Sequence, residues 1–114
     1  VTTPAPGTPL CRFADLADRG ARGFCFEFGD VVFRGFVVRR GDEVFGWRDR
    51  CPHIGLPLTL GDDRYLTREG RFILCCNHGA LFRIADGACI AGPCVGQRLK
   101  VWPVTVRQDL VIAV

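Results

Sequence analysis

From Val31 to Arg39 the chain reads Val-Val-Phe-Arg-Gly-Phe-Val-Val-Arg, rich in the β-branched and aromatic residues that suit a pleated strand. Gly41-Asp42 supplies a turn and Val44 to Trp47 resumes the apolar pattern, which predicts a hairpin. Phe72-Ile73-Leu74 is a short apolar run leading directly into Cys75, and Leu81 to Ile84 is another, followed by the turn-forming pair Asp86-Gly87. Near the C-terminus Val104 and Val106, then Leu110, Ile112 and Val114, recur at every second position, the period of half-buried strands, with Arg107-Gln108-Asp109 as their connection. Only Phe13 to Arg19 has a weakly helical pattern, and it predicts no more than a single turn after a first strand. The expected class is all-β.

Gly and Pro punctuate the middle: Pro52, Gly55, Pro57 and Gly61, then Gly79, Gly87, Gly92-Pro93 and Gly96. Glycine permits the positive φ and close backbone approach of loops wrapped round a bound group. Residues 11–48 and 98–114 are therefore read as a β framework and 49–97 as an inserted subdomain, after an N-terminal tail at 1–9. At 114 residues with 48% apolar composition, the chain has the size and the material for one domain with a real core.

The net charge of +3 comes from 15 basic and 12 acidic residues spread along the chain. No run of one sign marks a nucleic-acid or membrane footprint, so neither partner is expected. No stretch reaches the ~18 apolar residues of a membrane span, and Val1 to Leu10 lacks the apolar core of a secretory signal. The seven cysteines are an odd number; without an export signal they suggest a reducing, cytoplasmic setting and metal ligation in preference to disulfides.

Two clusters carry candidate chemistry: Cys51-Pro52-His53 and Cys75-Cys76-Asn77-His78. They contain both histidines of the chain. Thiolate and imidazole select zinc, copper or iron–sulfur chemistry over magnesium or calcium. Structural zinc sites commonly group like ligands, whereas each loop here is mixed. One sulfur and one nitrogen from each loop is what a [2Fe–2S] cluster with unequally ligated irons requires. Two neutral imidazoles in place of two anionic thiolates make the extra electron easier to accept, and place the potential at roughly −150 to +300 mV. Their second ring nitrogens allow electron transfer to be coupled to proton uptake.

Cys51-Pro52-His53-Ile54-Gly55-Leu56-Pro57-Leu58 and Cys75-Cys76-Asn77-His78-Gly79-Ala80-Leu81-Phe82 resemble the two cluster-binding loops of Rieske [2Fe–2S] proteins. Asp86-Gly87 with Gly92-Pro93 is similar to the third loop that covers the cluster in that family. The resemblance runs from about Leu10 to the end and is closest to small soluble Rieske-type ferredoxins. It implies stacked antiparallel sheets with a cluster-binding insertion, and one [2Fe–2S] cluster per chain. By resemblance Cys51 and Cys75 ligate one iron, and His53 and His78 ligate the other through Nδ1 with Nε2 near solvent. Cys76 and His78 also form a C-x-H pair, but the family's C-x-x-H motif selects Cys75. Neighbouring side chains in an extended segment point opposite ways, so Cys76 is expected to face away.

Departures from the family narrow the expectation. Respiratory members bridge the two loops by a disulfide, where this chain has Leu56 and Asn77. They also carry a Ser and a Tyr whose hydroxyls donate to cluster and cysteine sulfur, where this chain has Ala80 and Phe82. Fewer donors near sulfur predict a potential in the lower half of the range. Cys11, Cys25, Cys89 and Cys94 read as small buried hydrophobes, with a redox pair as the alternative for Cys89 and Cys94. Trp47 and Trp102 read as core or interface aromatics. Arg48, Arg50 and Arg98 read as solvated surface, with steering of an acidic partner as the alternative.

A substrate site of its own is not expected, because a Rieske oxygenase also needs a mononuclear iron held by two further histidines and a carboxylate. Nor is there a strand–G-x-G-x-x-G–helix signal for hydride chemistry. The resemblance implies a one-electron carrier, transiently bound by a reductase and by a terminal oxidoreductase such as a ring-hydroxylating dioxygenase. Alternatives are the small subunit of a nitrite reductase-like complex, or a redox-sensing or zinc-binding module.

Overall fold

The computed structural model describes residues 2–59 and 61–114. All regular elements among them except one 3₁₀ turn are strands, in three antiparallel three-stranded sheets. They are β1 (Pro9–Arg12), β2 (Gly20–Phe28), β3 (Val31–Arg40), β4 (Glu43–Arg48), β5 (Phe72–Leu74), β6 (Leu81–Arg83), β7 (Cys89–Ala91), β8 (Val104–Arg107) and β9 (Leu110–Ala113). The sheet orders are β1-β9-β8, β2-β3-β4 and β5-β6-β7. Among the described residues no helix is long and apolar enough to cross a membrane.

β3 explains the apolar run that dominates the sequence. It lies between β2 and β4 and is covered on both faces. Phe36 and Val38 point into a core that also contains Cys51 and Cys75, whereas Phe33 and Val37 point into a second core with Leu16, Trp102 and Val111. Alternation along one strand thus makes β3 the wall between two cores. Complete burial of each of these side chains contributes roughly 1.5–3 kcal/mol.

The predicted hairpin is β3–β4, with Arg40 opposite Glu43 across the Gly41-Asp42 turn. β2 adds a strand not singled out in the sequence. Phe24, Phe26 and Phe28 are half-buried while Cys25 and Glu27 face solvent, so Cys25 is not the buried hydrophobe expected. The helical signal shrinks to the 3₁₀ turn Phe13–Asp15. β8 and β9 join through Gln108 and Asp109, whose φ of 52° and 67° suit a tight two-residue connection. The burial of β9 differs in part from the expected alternation: Val111 and Ala113 are buried along with the expected Ile112, whereas Leu110 and Val114 are exposed. β9 is central in its sheet, and its register against β1 and β8 turns Val111 toward Phe33 and Trp102. β1 starts at Pro9, and ahead of it Gly7 N–H donates to Ala113 O at 2.7 Å.

Gly46 on β4 passes directly under Trp102, and a Cβ there would overlap the Trp102 carbonyl oxygen and crowd both Val104 methyls. Gly46→Ala is therefore expected to destabilise the framework by about 1–3 kcal/mol, seen as a lower midpoint in urea unfolding. An unchanged midpoint would show that β4 and the 102–104 segment can separate freely.

Candidate metal centre

The two candidate ligand loops close by one hydrogen-bond pattern. Cys51 N–H donates to Leu56 O at 2.8 Å and Gly55 N–H to Cys51 O at 2.7 Å; Cys75 N–H donates to Ala80 O at 2.9 Å and Gly79 N–H to Cys75 O at 3.0 Å. In each loop the fifth residue is a glycine in the left-handed region, Gly55 at φ 75° and Gly79 at φ 71°. That conformation turns the chain back and is strained for residues with a Cβ. The sequence thus forms two like cradles, each presenting a cysteine at its start and a histidine at its tip.

Cross-links hold the cradles together. Cys76 N–H donates to Leu58 O at 2.8 Å, and Asn77 Nδ2 donates to Pro57 O at 2.9 Å. The amide of Asn77 thus ties the loops at a position where respiratory relatives are expected to have a disulfide cysteine. A third tie comes from the core: Phe36 stacks on Tyr65 with ring centroids 4.2 Å apart. Tyr65 Oη in turn donates to Asp49 Oδ2 at 2.8 Å, and Leu58 N–H donates to Asp49 Oδ1 at 2.7 Å. Burial, reinforced by the Asp49 carboxylate, pushes the Tyr65 phenol well above its usual value, so it stays a donor at neutral pH.

All four expected ligands come to one end of the molecule. Cys51 and Cys75 are buried with their thiols in reach of one another. His53 and His78 are exposed, ring centroids 4.8 Å apart and nearly perpendicular at 81°. Cys76, the competing thiol, is exposed. Burial pushes the Cys51 thiol up from its ordinary value even though the His53 and Ile54 N–H groups donate to it. A bound cation reverses that preference and holds thiols as thiolates.

The donors are split into an inner sulfur pair and an outer imidazole pair. Two sulfurs behind two nitrogens match the needs of two unlike irons. The donor set, two buried thiols and two exposed imidazoles, therefore fits a [2Fe–2S] group.

The third loop packs over the second. A Cβ at Gly92 would press on Ala80 Cα at 2.8 Å, so only glycine permits this approach. Cys94 and Cys89 lie inside that loop with their sulfurs 3.0 Å apart, and burial next to the Cys89 thiol pushes Cys94 up to about 12. Both side chains are buried, as their reading as small buried groups expects. Sequence reasoning missed Asn77, Asp49 and Tyr65. Asn77 is also 3.5 Å from Cys75 Sγ, a long N–H···S contact. Asn77→Leu removes this donor and the Pro57 tie, and is expected to lower the reduction potential by on the order of tens of millivolts. Voltammetry would show it; a rise would contradict the donor assignment.

The sequence matches the family described as Rieske [2Fe-2S] domain over residues 8–105. A comparison with curated proteins found no match. Among solved structures, a Sphingomonas yanoikuyae B1 ferredoxin is 31% identical with a TM-score of 0.69, covering 94% of this chain and 96% of that one. The ferredoxin of carbazole 1,9a-dioxygenase from Nocardioides aromaticivorans IC177 is 25% identical with a TM-score of 0.67, covering 93% and 96%. A chain in the complex of reduced oxygenase and oxidized ferredoxin in carbazole 1,9a-dioxygenase is 25% identical with a TM-score of 0.70, covering 92% and 90%. With the fold, the paired loops and these likenesses in agreement, the chain belongs to the Rieske [2Fe–2S] domain family and its cofactor is a [2Fe–2S] cluster.

Proposed function

We propose that this chain is a one-electron carrier that takes an electron from a reductase and passes it to a terminal oxygenase of the ring-hydroxylating class. The observation that carries this reading is the exposed, closely spaced pair His53 and His78 in front of two buried cysteines. In this reading Cys51 and Cys75 hold the inner iron and His53 and His78 the outer one. Bound there, the group supplies reversible one-electron storage. The likeness to free-standing ferredoxins along nearly their full length supports a carrier, as does the ferredoxin–oxygenase complex for the kind of acceptor.

The chain's own residues divide the work. Cys51 and Cys75 keep the sulfur side away from water. His53 and His78 present their outer ring edges to a partner and can each hold a proton at Nε2. Ile54 and Leu56, 41% and 50% exposed beside His53 in the sequence, offer apolar contact of the modest extent that suits fast exchange. Asn77 and the Asp49–Tyr65 pair fix the loops, so little rearrangement accompanies a change of charge.

A flavin reductase with its reduced nicotinamide donor should reduce the protein by one electron per chain. Addition of an oxygenase component of an aromatic-ring dioxygenase should then reoxidise it faster than dissolved oxygen does. Reduction without acceleration by the oxygenase would favour a sensing role and reject the carrier reading.

A further inference from the structure

Beside the first loop lies a cleft of about 600 Å³ whose wall includes His53. Five cations line it, Arg34, Arg48, Arg50, Arg98 and Lys100, with Asp49 as the one acid among them. Three chain-distant segments bring them together. Arg48 N–H donates to Lys100 O at 2.8 Å and Asp49 N–H to Arg34 O at 3.0 Å, and Val101 bridges to Trp47. Arg50 lies against Gly55, its guanidinium nitrogens 3.2 and 3.3 Å from where a Cβ would stand.

The charge here is unbalanced. Arg12, Arg40, Arg64 and Arg83 each pair with a carboxylate; among the described residues none of the five cleft cations does. Asp49 offsets one of them, but Leu58 and Tyr65 already occupy its two oxygens. Of 15 basic and 12 acidic residues in the chain, five and one line the cleft. That leaves ten and eleven elsewhere, so the whole positive excess gathers at this face. Uncompensated like charges cost stability, and the chain keeps them at the edge where electrons leave.

We infer that this face docks an acidic segment of the redox partner, several carboxylates presented together, and so seats that partner against His53. The inference rests on the carrier reading. Arg34, Arg50, Arg98 and Lys100 are exposed and spread over separate segments, an arrangement that matches several anionic groups on an opposing surface. One small anion would need buried, convergent donors.

The test uses the reduced, cluster-loaded protein and two outer-sphere oxidants that each remove one electron: anionic hexacyanoferrate(III) and cationic tris(phenanthroline)cobalt(III). Arg34→Gln/Arg98→Gln/Lys100→Gln is compared with Arg68→Gln/Arg71→Gln/Arg107→Gln, which removes equal charge from residues outside the cleft. At low ionic strength the cleft variant should lose about tenfold in rate with hexacyanoferrate(III) and gain with the cobalt complex, whereas the control should change little. A glutamate decamer should slow the hexacyanoferrate(III) reaction of wild type but not of the cleft variant, and inorganic phosphate at equal ionic strength should not. Equal responses of the two variants, or equal inhibition by phosphate, would overturn the inference. Iron content and the reduced EPR spectrum are read in parallel: their loss in wild type would instead undo the carrier reading.

Discussion

Cys75→Ser is expected to yield colourless protein without iron or acid-labile sulfide, while Cys76→Ser is expected to remain red-brown with a full complement of both. The two thiols are adjacent in sequence, yet Cys75 is completely buried beside Cys51 and Cys76 faces solvent. Backbone hydrogen bonds decide the difference. Cys75 N–H is committed to Ala80 O inside its own loop, and Cys76 N–H to Leu58 O on the neighbouring one, so the peptide between them cannot rotate to exchange the side chains. Serine keeps the volume of cysteine but is a poor ligand for the softer iron–sulfur core. Iron and sulfide analysis after anaerobic purification reads the result directly. Retention of the cluster in Cys75→Ser and its loss in Cys76→Ser would reverse the ligand assignment.

A second large effect is expected at the nitrogen end. His78→Cys exchanges a neutral ligand for an anionic one, which disfavours the added electron. Clusters ligated only by cysteine lie near roughly −400 mV against −150 to +300 mV for the mixed type. One exchange should therefore lower the potential by on the order of 150 mV or more. It also removes one of the two Nε2 atoms that can take up a proton on reduction, so the potential should depend less steeply on pH. Both changes are read by voltammetry across a pH series, with EPR of the reduced protein to establish that a cluster is present. An unaltered potential and slope in cluster-containing variant would exclude His78 as a ligand.

Much of the candidate site was legible because its proposed chemistry is local in the chain: each cradle is a single eight-residue segment carrying a cysteine, a histidine and a turn glycine close together. The β3–β4 hairpin and the Gln108-Asp109 connection were legible for the same reason, since turn residues and apolar periods are properties of neighbours. β2 was obscured by Gly20, Gly23 and Arg22 ahead of its alternating phenylalanines. Gly23 is needed there because the Tyr65 hydroxyl sits where its Cβ would be, a contact between residues 42 positions apart. The inward face of β9 depended on its place between β1 and β8. Likewise the Asp49–Tyr65 pair, the Asn77 tie and the cationic cleft exist only once distant segments are joined. The sequence offered Arg48, Arg50 and Arg98 for steering an acidic partner, but not the Arg34 and Lys100 that join them in one cleft.

The division of the interior by β3 bears on how the holoprotein matures. Leu16, Phe33, Val37, Trp102 and Val111 form their own core, and none of the four proposed ligand residues is among its buried members. That half of the molecule is therefore expected to consolidate without iron, leaving the two cradles to be completed when the group binds. Cofactor insertion then becomes a late step, separable from chain collapse.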